Sequence, residues 1–201
     1  ILIIFLSLCF INLYNTGDYR NENDKAPYKS VDLTLGEKGL WSTSINENLV
    51  GKYYTYTVSN VLGTNEIVDP YARSAGLNGK RGYIANFKAI NASIAGWDED
   101  ETVSCEEQTD ASIYEIHVRD MTINPNSGVS ANNRGKYLGL TEKGTTYSNG
   151  TVTVSTGLDH LRDLGISHVQ IQPTYDYSSV NEELDTTKMS ETNYNWGYDP
   201  L

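Results

Sequence analysis

The feature that most constrains the fold is a strand, a helix and a second strand in succession in the second half of the chain. The run ASIYEIHVRDMTI (111–123) alternates along its length as a strand does. GLDHLRDLGIS (157–167) has leucines at helical spacing and a glycine suited to end the helix. HVQIQ (168–172) then predicts a strand that the following proline ends. Two such strands form a parallel pair with a right-handed crossover.

The first half of the chain predicts a different architecture, of short strands between turns. KSVDLTLGEKGLWSTSI (29–45) has two alternating runs around two glycines, which predicts a hairpin. LVGKYYTYTVSN (49–60) alternates with Tyr53, Thr55 and Thr57 on one face. Strands at this spacing, without an amphipathic helix, predict a β-sandwich.

Composition narrows the classes of partner. Fifteen Lys and Arg against 26 Asp and Glu give a net charge of -11. A surface this acidic repels a phosphate backbone and anionic lipid, so neither nucleic acid nor a membrane is predicted as a partner. The 15 tyrosines favour half-buried strands, and they also suit sugar binding, because such a ring can pack on a pyranose face. Two cysteines and three histidines show no metal-ligand spacing, so no cofactor is predicted.

The first ten residues, ILIIFLSLCF, form an apolar run. It has no basic segment before it and no small-residue cleavage site after it, a pattern that does not favour a signal peptide. Ten residues are also too few to span a bilayer as a helix. We interpret the run as a buried strand at a truncated or misread start, and localisation stays unknown.

The segment NYNWGYDPL (193–201) places three aromatic rings, a glycine, a carboxylate and a proline in nine residues. It has no apolar period, so we expect a loop. Such a loop forms a binding surface when a scaffold holds it and an exposed tail when none does. Its place downstream of the second predicted strand favours a site, because ligand sites collect at the carboxyl ends of parallel strands.

Several motifs, in the same order along the chain, resemble type I pullulanases, the α-glucan debranching enzymes of the α-amylase superfamily (glycoside hydrolase family 13). They are YEIHVRD (114–120), GKYLGLTE (135–142), GLDHLRDLGISHVQIQPTYDY (157–177) and YNWGYDP (194–200). Upstream, GEKGLWS, GKYYTYTV and VDPYARSAGLNGKRG resemble the β-sandwich that precedes the barrel in these enzymes. The resemblance runs from about residue 11 to the end.

The resemblance implies two folding units. Residues 1–100 would form an N-terminal β-sandwich, immunoglobulin-like and of the carbohydrate-binding-module type, in which 1–10 is an aberrant start. Residues 101–110 would be an acidic linker. Residues 111–201 would be the first β-α-β part of a (β/α)8 barrel, truncated because a whole barrel takes about 250 residues.

The implied activity is hydrolysis of α-1,6-glucosidic bonds in pullulan, glycogen or amylopectin, with retention of configuration. The aspartate nucleophile and the glutamate acid/base of the family lie at later barrel strands, so the resemblance places them beyond the C-terminus and assigns no catalytic residue to this chain. Glu115 and Asp120 are not expected to substitute for them, because Glu115 would face inward and pair with Arg119 at the barrel floor. We therefore expect this chain alone to be inactive.

The resemblance does assign substrate-binding residues. Tyr198 would stack on a sugar ring and Asp199 would hydrogen-bond its hydroxyls, while Asn195 and Trp196 would shape the loop. Trp196 would either contact substrate or act as a packing anchor. The implied partner is an α-glucan polysaccharide; no cofactor is implied here, and calcium stays open for the parent enzyme.

Other interpretations compete with this one. The first is a non-catalytic α-glucan-binding or interaction module. The second is an isoamylase or branching enzyme, which YNWGYDP and YEIHVRD fit less well. In the sandwich, Trp41 and the row Tyr53–Tyr56 could form a sugar platform, but a role in the core or between domains is favoured.

Overall fold

The computed structural model describes residues 8–102, 104–175, 177–183 and 194–200. These residues form two compact units. The first comprises 8–99 with 180–183, and the second comprises the described residues of 100–179 with 194–200. None of the helices in these ranges has the length and hydropathy needed to span a bilayer.

The first unit is mostly sheet. Its five-stranded antiparallel sheet consists of β1 (Leu8–Tyr14), β2 (Lys29–Asp32), β5 (Tyr53–Asn60), β6 (Gly63–Ile67) and β7 (Gly82–Tyr83). The strand order is β2–β1–β5–β6, with β7 also paired to β5. The hairpin predicted in 29–45 is present as a ribbon of β3 (Thr34–Leu35) and β4 (Trp41–Ser42). A short helix that the sequence did not predict, α1 (Phe87–Ala92), follows and is capped by Asn86.

The two faces of this sheet differ in chemistry, as the alternation in β5 predicts. On one face Asn12 Nδ2 donates to Thr57 Oγ1 at 2.7 Å, and Thr55 Oγ1 donates to Glu66 Oε1 at 2.6 Å. Tyr54 and Tyr56 lie on the other face, in edge contact with a centroid distance of 5.7 Å. The row Tyr53–Tyr56 is therefore divided between two faces and does not form one platform.

A buried ion pair fixes the segment after β1. Arg81 Nη1 lies 3.1 Å from Asp24 Oδ2, and the two side chains are only 5% and 6% exposed. Asp24 also accepts hydrogen bonds from the backbone N–H groups of Asn15 and Thr16. The guanidinium of Arg81 stacks on the ring of Tyr14, with Cζ 3.6 Å from the centroid. The charges are paired and hydrogen-bonded, as burial requires.

Strand β1 begins within the apolar run 1–10. Leu8, Cys9 and Phe10 pair with Ser59, Val58 and Thr57 of β5. These three residues continue the ladder of the central strands, and the expectation of an aberrant start stays a prediction. Residues 1–7 lie outside the described part of the chain.

The second unit contains the strand–helix–strand succession predicted from the sequence. Strands β8 (Ile113–His117) and β11 (His168–Gln172) pair in parallel, with Ile116 opposite Ile171. Between them come α2 (Val118–Thr122), the hairpin β9 (Thr146–Ser148) and β10 (Thr153–Ser155), and α3 (Gly157–Asp163). Within the described residues β8 and β11 are the parallel strands, so a closed barrel stays a prediction.

The core of this unit lies between the parallel pair and its helices. Its buried residues are Ile116, Val118, Leu140 and Leu161. Leu161 is thus the one leucine of the predicted helix that enters this core, whereas Leu158 and Leu164 are exposed. Gly165, with φ +74°, follows the helix where the sequence predicts its end.

The prediction for Arg119 was wrong. The strand ends at His117, whose side chain caps α2 by accepting the N–H of Asp120, so Arg119 lies on a helix. Arg119 Nη1 donates to Asp120 Oδ1 at 2.9 Å. Glu115 instead accepts a hydrogen bond from Gln170, its register partner in β11, at 3.0 Å. The expected ion pair between Glu115 and Arg119 is replaced by these two local contacts.

Candidate functional site

The aromatic segment Tyr194–Pro200, here called the terminal loop, lies over the carboxyl ends of both parallel strands. At the end of β8, His117 Nε2 is 2.6 Å from the carbonyl oxygen of Asn195. At the end of β11, Gly197 packs on Gln172 so closely that an added Cβ would lie 2.9 Å from Gln172 Cβ. The scaffold thus holds the loop at two points.

The backbone of the terminal loop is turned by short polar contacts. Asn195 Oδ1 accepts the N–H of Gly197 at 2.8 Å. Gly197 has φ +83°, a conformation that glycine adopts without steric cost. Tyr175 donates its hydroxyl to the carbonyl oxygen of Gly197 at 3.1 Å. The Asn195 side chain therefore shapes the loop.

Asp199 is held by the segment that follows β11. Its backbone carbonyl accepts the N–H of Ser178 at 3.1 Å, and its Oδ2 accepts the Ser178 hydroxyl at 2.8 Å. Pro200 forms a β-bridge with Tyr177. The Asp199 side chain is exposed, so its carboxylate faces solvent while one oxygen is oriented by Ser178.

Two large rings of the loop face solvent. Trp196 is 68% exposed and Tyr198 is 57% exposed. Trp196 contacts the ring of Tyr194 edge-on, with centroids 5.0 Å apart and an interplanar angle of 77°. Its exposed surface is available to a ligand even though Tyr194 anchors it on one side, so the geometry accommodates both roles expected for Trp196.

A cluster that sequence reasoning missed anchors the start of the loop at the carboxyl end of β8. Its members are His117, Arg119, Asp120 and Tyr194. The ring of Tyr194 stacks on His117 at a centroid distance of 5.4 Å, and its hydroxyl donates to Asp120 Oδ2 at 2.5 Å. Arg119 donates to the other oxygen of Asp120. Tyr194 is 74 positions from Asp120 in the sequence, so no local sequence pattern indicated this cluster.

The electrostatics of this cluster fix its protonation. Burial and the hydrogen bond to Asp120 raise the pKa of Tyr194 to about 12. Burial opposes ionisation of Asp120, but hydrogen bonds from Tyr194 and Arg119 outweigh it and hold the pKa of that carboxyl below its usual range. At neutral pH Tyr194 is therefore a protonated donor and Asp120 an ionised acceptor, which makes a strong hydrogen bond.

The chemistry of the assembled residues suits a neutral polar ligand. They offer flat apolar rings beside a carboxylate, the combination that packs on a sugar ring and hydrogen-bonds its hydroxyls. Among the residues that the structure describes, no group of three or more His, Cys, Asp or Glu side chains is placed to hold a metal ion. Calcium binding by the parent enzyme stays a prediction.

Comparison with known proteins identifies relatives at the sequence level. No family model matches the chain. The pullulanase of Bacillus subtilis (strain 168) is 35% identical over 175 residues, covering 86% of this chain and 22% of that protein. Pullulanase 1, chloroplastic, of Arabidopsis thaliana is 30% identical over 218 residues, covering 91% of this chain and 21% of that protein. Isoamylase 3, chloroplastic, of Oryza sativa subsp. japonica is less similar, at 24% identity.

Solved structures give the same result. The apo pullulanase of Paenibacillus barengoltzii is 42% identical with a TM-score of 0.80, covering 96% of this chain and 27% of that chain. The pullulanase of Bacillus acidopullulyticus is 37% identical with a TM-score of 0.79, covering 96% of this chain and 22% of that chain. The Paenibacillus enzyme has also been solved as a mutant with maltotetraose, and with maltohexaose and α-cyclodextrin. These similarities confirm the resemblance to type I pullulanases, and the chain is a pullulanase homologue that corresponds to a segment of these much longer proteins.

Proposed function

We propose that the chain is part of a debranching glycoside hydrolase that cleaves α-1,6-glucosidic bonds in pullulan, glycogen or amylopectin with retention of configuration. The curated relatives named above as pullulanases support this activity. The chain spans about a fifth of their length, so the activity is proposed for the longer protein. The maltooligosaccharides bound by the Paenibacillus enzyme support an α-glucan as the ligand.

The observation that carries the proposal is the pair of exposed rings, Trp196 and Tyr198, in a loop fixed over the ends of two parallel strands. A fixed ring loses little side-chain entropy when a sugar packs on it. A neutral glucan also meets no repulsion from a chain of net charge -11.

Each residue of the loop has a proposed role. The Tyr198 ring stacks on the apolar face of a glucose unit. Asp199 accepts hydrogen bonds from the sugar hydroxyls, because an ionised carboxylate has about four acceptor positions and Ser178 uses one of them. Asn195 sets the turn, and the exposed surface of Trp196 extends the stacking surface.

The bond-breaking step is proposed to depend on residues outside this chain. A retaining glycosidase needs two carboxyl groups about 5–5.5 Å apart, one as nucleophile and one as acid/base. We assign both to other parts of the longer protein, and the terminal loop to substrate binding. Purified chain should then release no reducing ends from pullulan, and turnover by it would contradict this assignment.

A non-catalytic glucan-binding module would use the same loop. An assay of the longer protein that contains this segment distinguishes the two functions. Reducing ends released from pullulan by that protein support the hydrolase, whereas binding without release supports the module.

The test of sugar binding is a substitution series at Tyr198. Tyr198→Ala should weaken maltotetraose binding about fivefold, because stacking contributes about 1 kcal/mol. Tyr198→Phe should stay within about twofold, because the ring is kept. Tyr147→Ala serves as the control, since Tyr147 is a comparably exposed tyrosine on strand β9 outside the loop. Kd can be measured by titration calorimetry, and equal affinities across the series would refute the assignment.

A further inference from the structure

The exposed rings of the terminal loop are connected to α2 by a continuous series of contacts. It begins at the carboxylate of Asp120, in the first turn of that helix. It passes to the hydroxyl of Tyr194 and, through the Tyr194 ring, to the edge contact with Trp196. Asp120 is therefore linked to the exposed ring of Trp196 through Tyr194.

We propose that Asp120 is a positioning residue: its carboxylate fixes the ring of Tyr194, and Tyr194 in turn holds Trp196 in the orientation that receives an α-glucan. The ligand in this statement rests on the proposed function. The positioning contact itself rests on the geometry of the cluster, so the two can be tested separately.

The Arg119 guanidinium lies over the Tyr194 ring, with Cζ 5.6 Å from the centroid, and Trp196 contacts the ring edge-on. Two further contacts restrain the ring in different directions. Stacking on His117, with an interplanar angle of 20°, fixes the plane of the ring. The hydrogen bond to Asp120 fixes the position of the hydroxyl within that plane. Neither contact alone restrains both the plane of the ring and the position of its hydroxyl. Loss of Asp120 should therefore leave the ring free to slide across His117.

The strength of the restraint comes from charge. Asp120 accepts from Tyr194 with one oxygen and from Arg119 with the other. A hydrogen bond to an ionised carboxylate is shorter and stronger than one between neutral groups. The pKa of Tyr194, raised to about 12, agrees with a phenol that keeps its proton in this contact.

The backbone between the two rings transmits the restraint. Asn195 separates Tyr194 from Trp196, and its carbonyl oxygen is held by His117 Nε2 at 2.6 Å. With the backbone fixed there, the direction of the Trp196 side chain depends on the surface that Tyr194 presents. An unrestrained Tyr194 would let Trp196 sample other rotamers, and fewer of them would match a sugar ring.

A test that needs no ligand uses the chain labelled with 5-fluorotryptophan. It has three tryptophans, so a fluorine spectrum has three resonances, and Trp196→Phe identifies that of Trp196. Asp120→Ala should shift or broaden the Trp196 resonance. Asp120→Asn should largely restore it, because the amide oxygen can still accept from Tyr194.

Asp163→Ala is the matched control. The side chains of Asp120 and Asp163 are 52% and 53% exposed, and each lies beside an arginine that precedes it in its helix. Asp163 accepts a hydrogen bond from Ser155, outside the terminal loop. Asp163→Ala should leave the Trp196 resonance in place, and far-UV circular dichroism should show that all variants keep the same secondary structure.

Maltotetraose affinity supplies the second measurement. Asp120→Ala should weaken binding about tenfold and Asp120→Asn about threefold, as expected for loss or weakening of a charged hydrogen bond that orients the site. An unmoved Trp196 resonance in Asp120→Ala, or an equal shift in Asp163→Ala, would overturn the proposal. A shifted resonance in a chain whose wild type binds no maltotetraose would uphold the positioning contact and reject the glucan as ligand.

Discussion

At the scale of single residues, the pair Arg81–Asp24 shows how burial changes the value of a charge. Its side chains are almost fully enclosed and satisfy both each other and the backbone of the turn after β1. Removing one partner would leave the other as an uncompensated buried charge, which is far more costly than breaking an exposed pair.

Asp24→Ala should therefore lower the free energy of unfolding by about 3–5 kcal/mol. The control is Glu22→Ala, which removes the ion pair between Glu22 and Lys25. The side chains of Glu22 and Lys25 are 79% and 57% exposed, respectively. That change should cost less than about 1 kcal/mol. Urea denaturation followed by circular dichroism measures both values. Similar costs for the two substitutions would show that the Arg81 contact does not stabilise the fold as argued.

Among the structural elements, the terminal loop depends on one glycine for its seat on β11. Gly197 combines a positive φ with contact against Gln172, whereas Gly165, at the end of α3, has a positive φ with open space around it. An alanine at either position would strain the backbone, but only one at Gly197 would also meet a neighbouring side chain. Comparing the two substitutions therefore distinguishes backbone strain from steric displacement.

Gly165→Ala should cost about 1–2 kcal/mol of stability and leave sugar affinity unchanged, because only backbone conformation is strained. Gly197→Ala should cost as much and should also displace the loop, because the new Cβ meets Gln172 at 2.9 Å. We expect maltotetraose binding to weaken about tenfold in Gly197→Ala, because the displaced loop would no longer hold its aromatic rings where the sugar packs. Unchanged affinity in that variant would contradict the docking of the loop on β11.

The sequence predicted these elements unevenly. Alternation and leucine spacing were sufficient for the β-α-β unit, because each is a local pattern that burial of one face imposes. Alternation failed at Arg119, because it continues past His117 into residues that the cap turns into a helix. The contact between Asp120 and Tyr194 joins residues 74 positions apart, so no local pattern indicates it.

At the scale of the whole molecule, the two units differ in how completely their strands are paired. The central strands β1 and β5 each have partners on both sides. In the described part of the second unit, β8 and β11 pair only with each other, and Ile113, Tyr114, Val169 and Ile171 are exposed. Unpaired edges and exposed apolar side chains lower local stability.

Amide hydrogen exchange of the chain should therefore be slower in β5 than in β8 and β11. The reason is that exchange in a strand follows the free energy of its local opening, which is larger where both edges are paired. Mass spectrometry of peptic fragments can resolve the two regions. Equal protection would show that the second unit is stable without further strands.

The proposed function depends most on binding of an α-glucan by the terminal loop. The most direct measurement is an intermolecular nuclear Overhauser spectrum of the chain with maltotetraose, with the aromatic protons of Tyr198 and Trp196 assigned by substitution. We expect contacts from glucose ring protons to Tyr198 and Trp196, and their loss in Tyr198→Ala. Contacts confined to tyrosines of the five-stranded sheet, or none at saturating sugar, would contradict the proposed function.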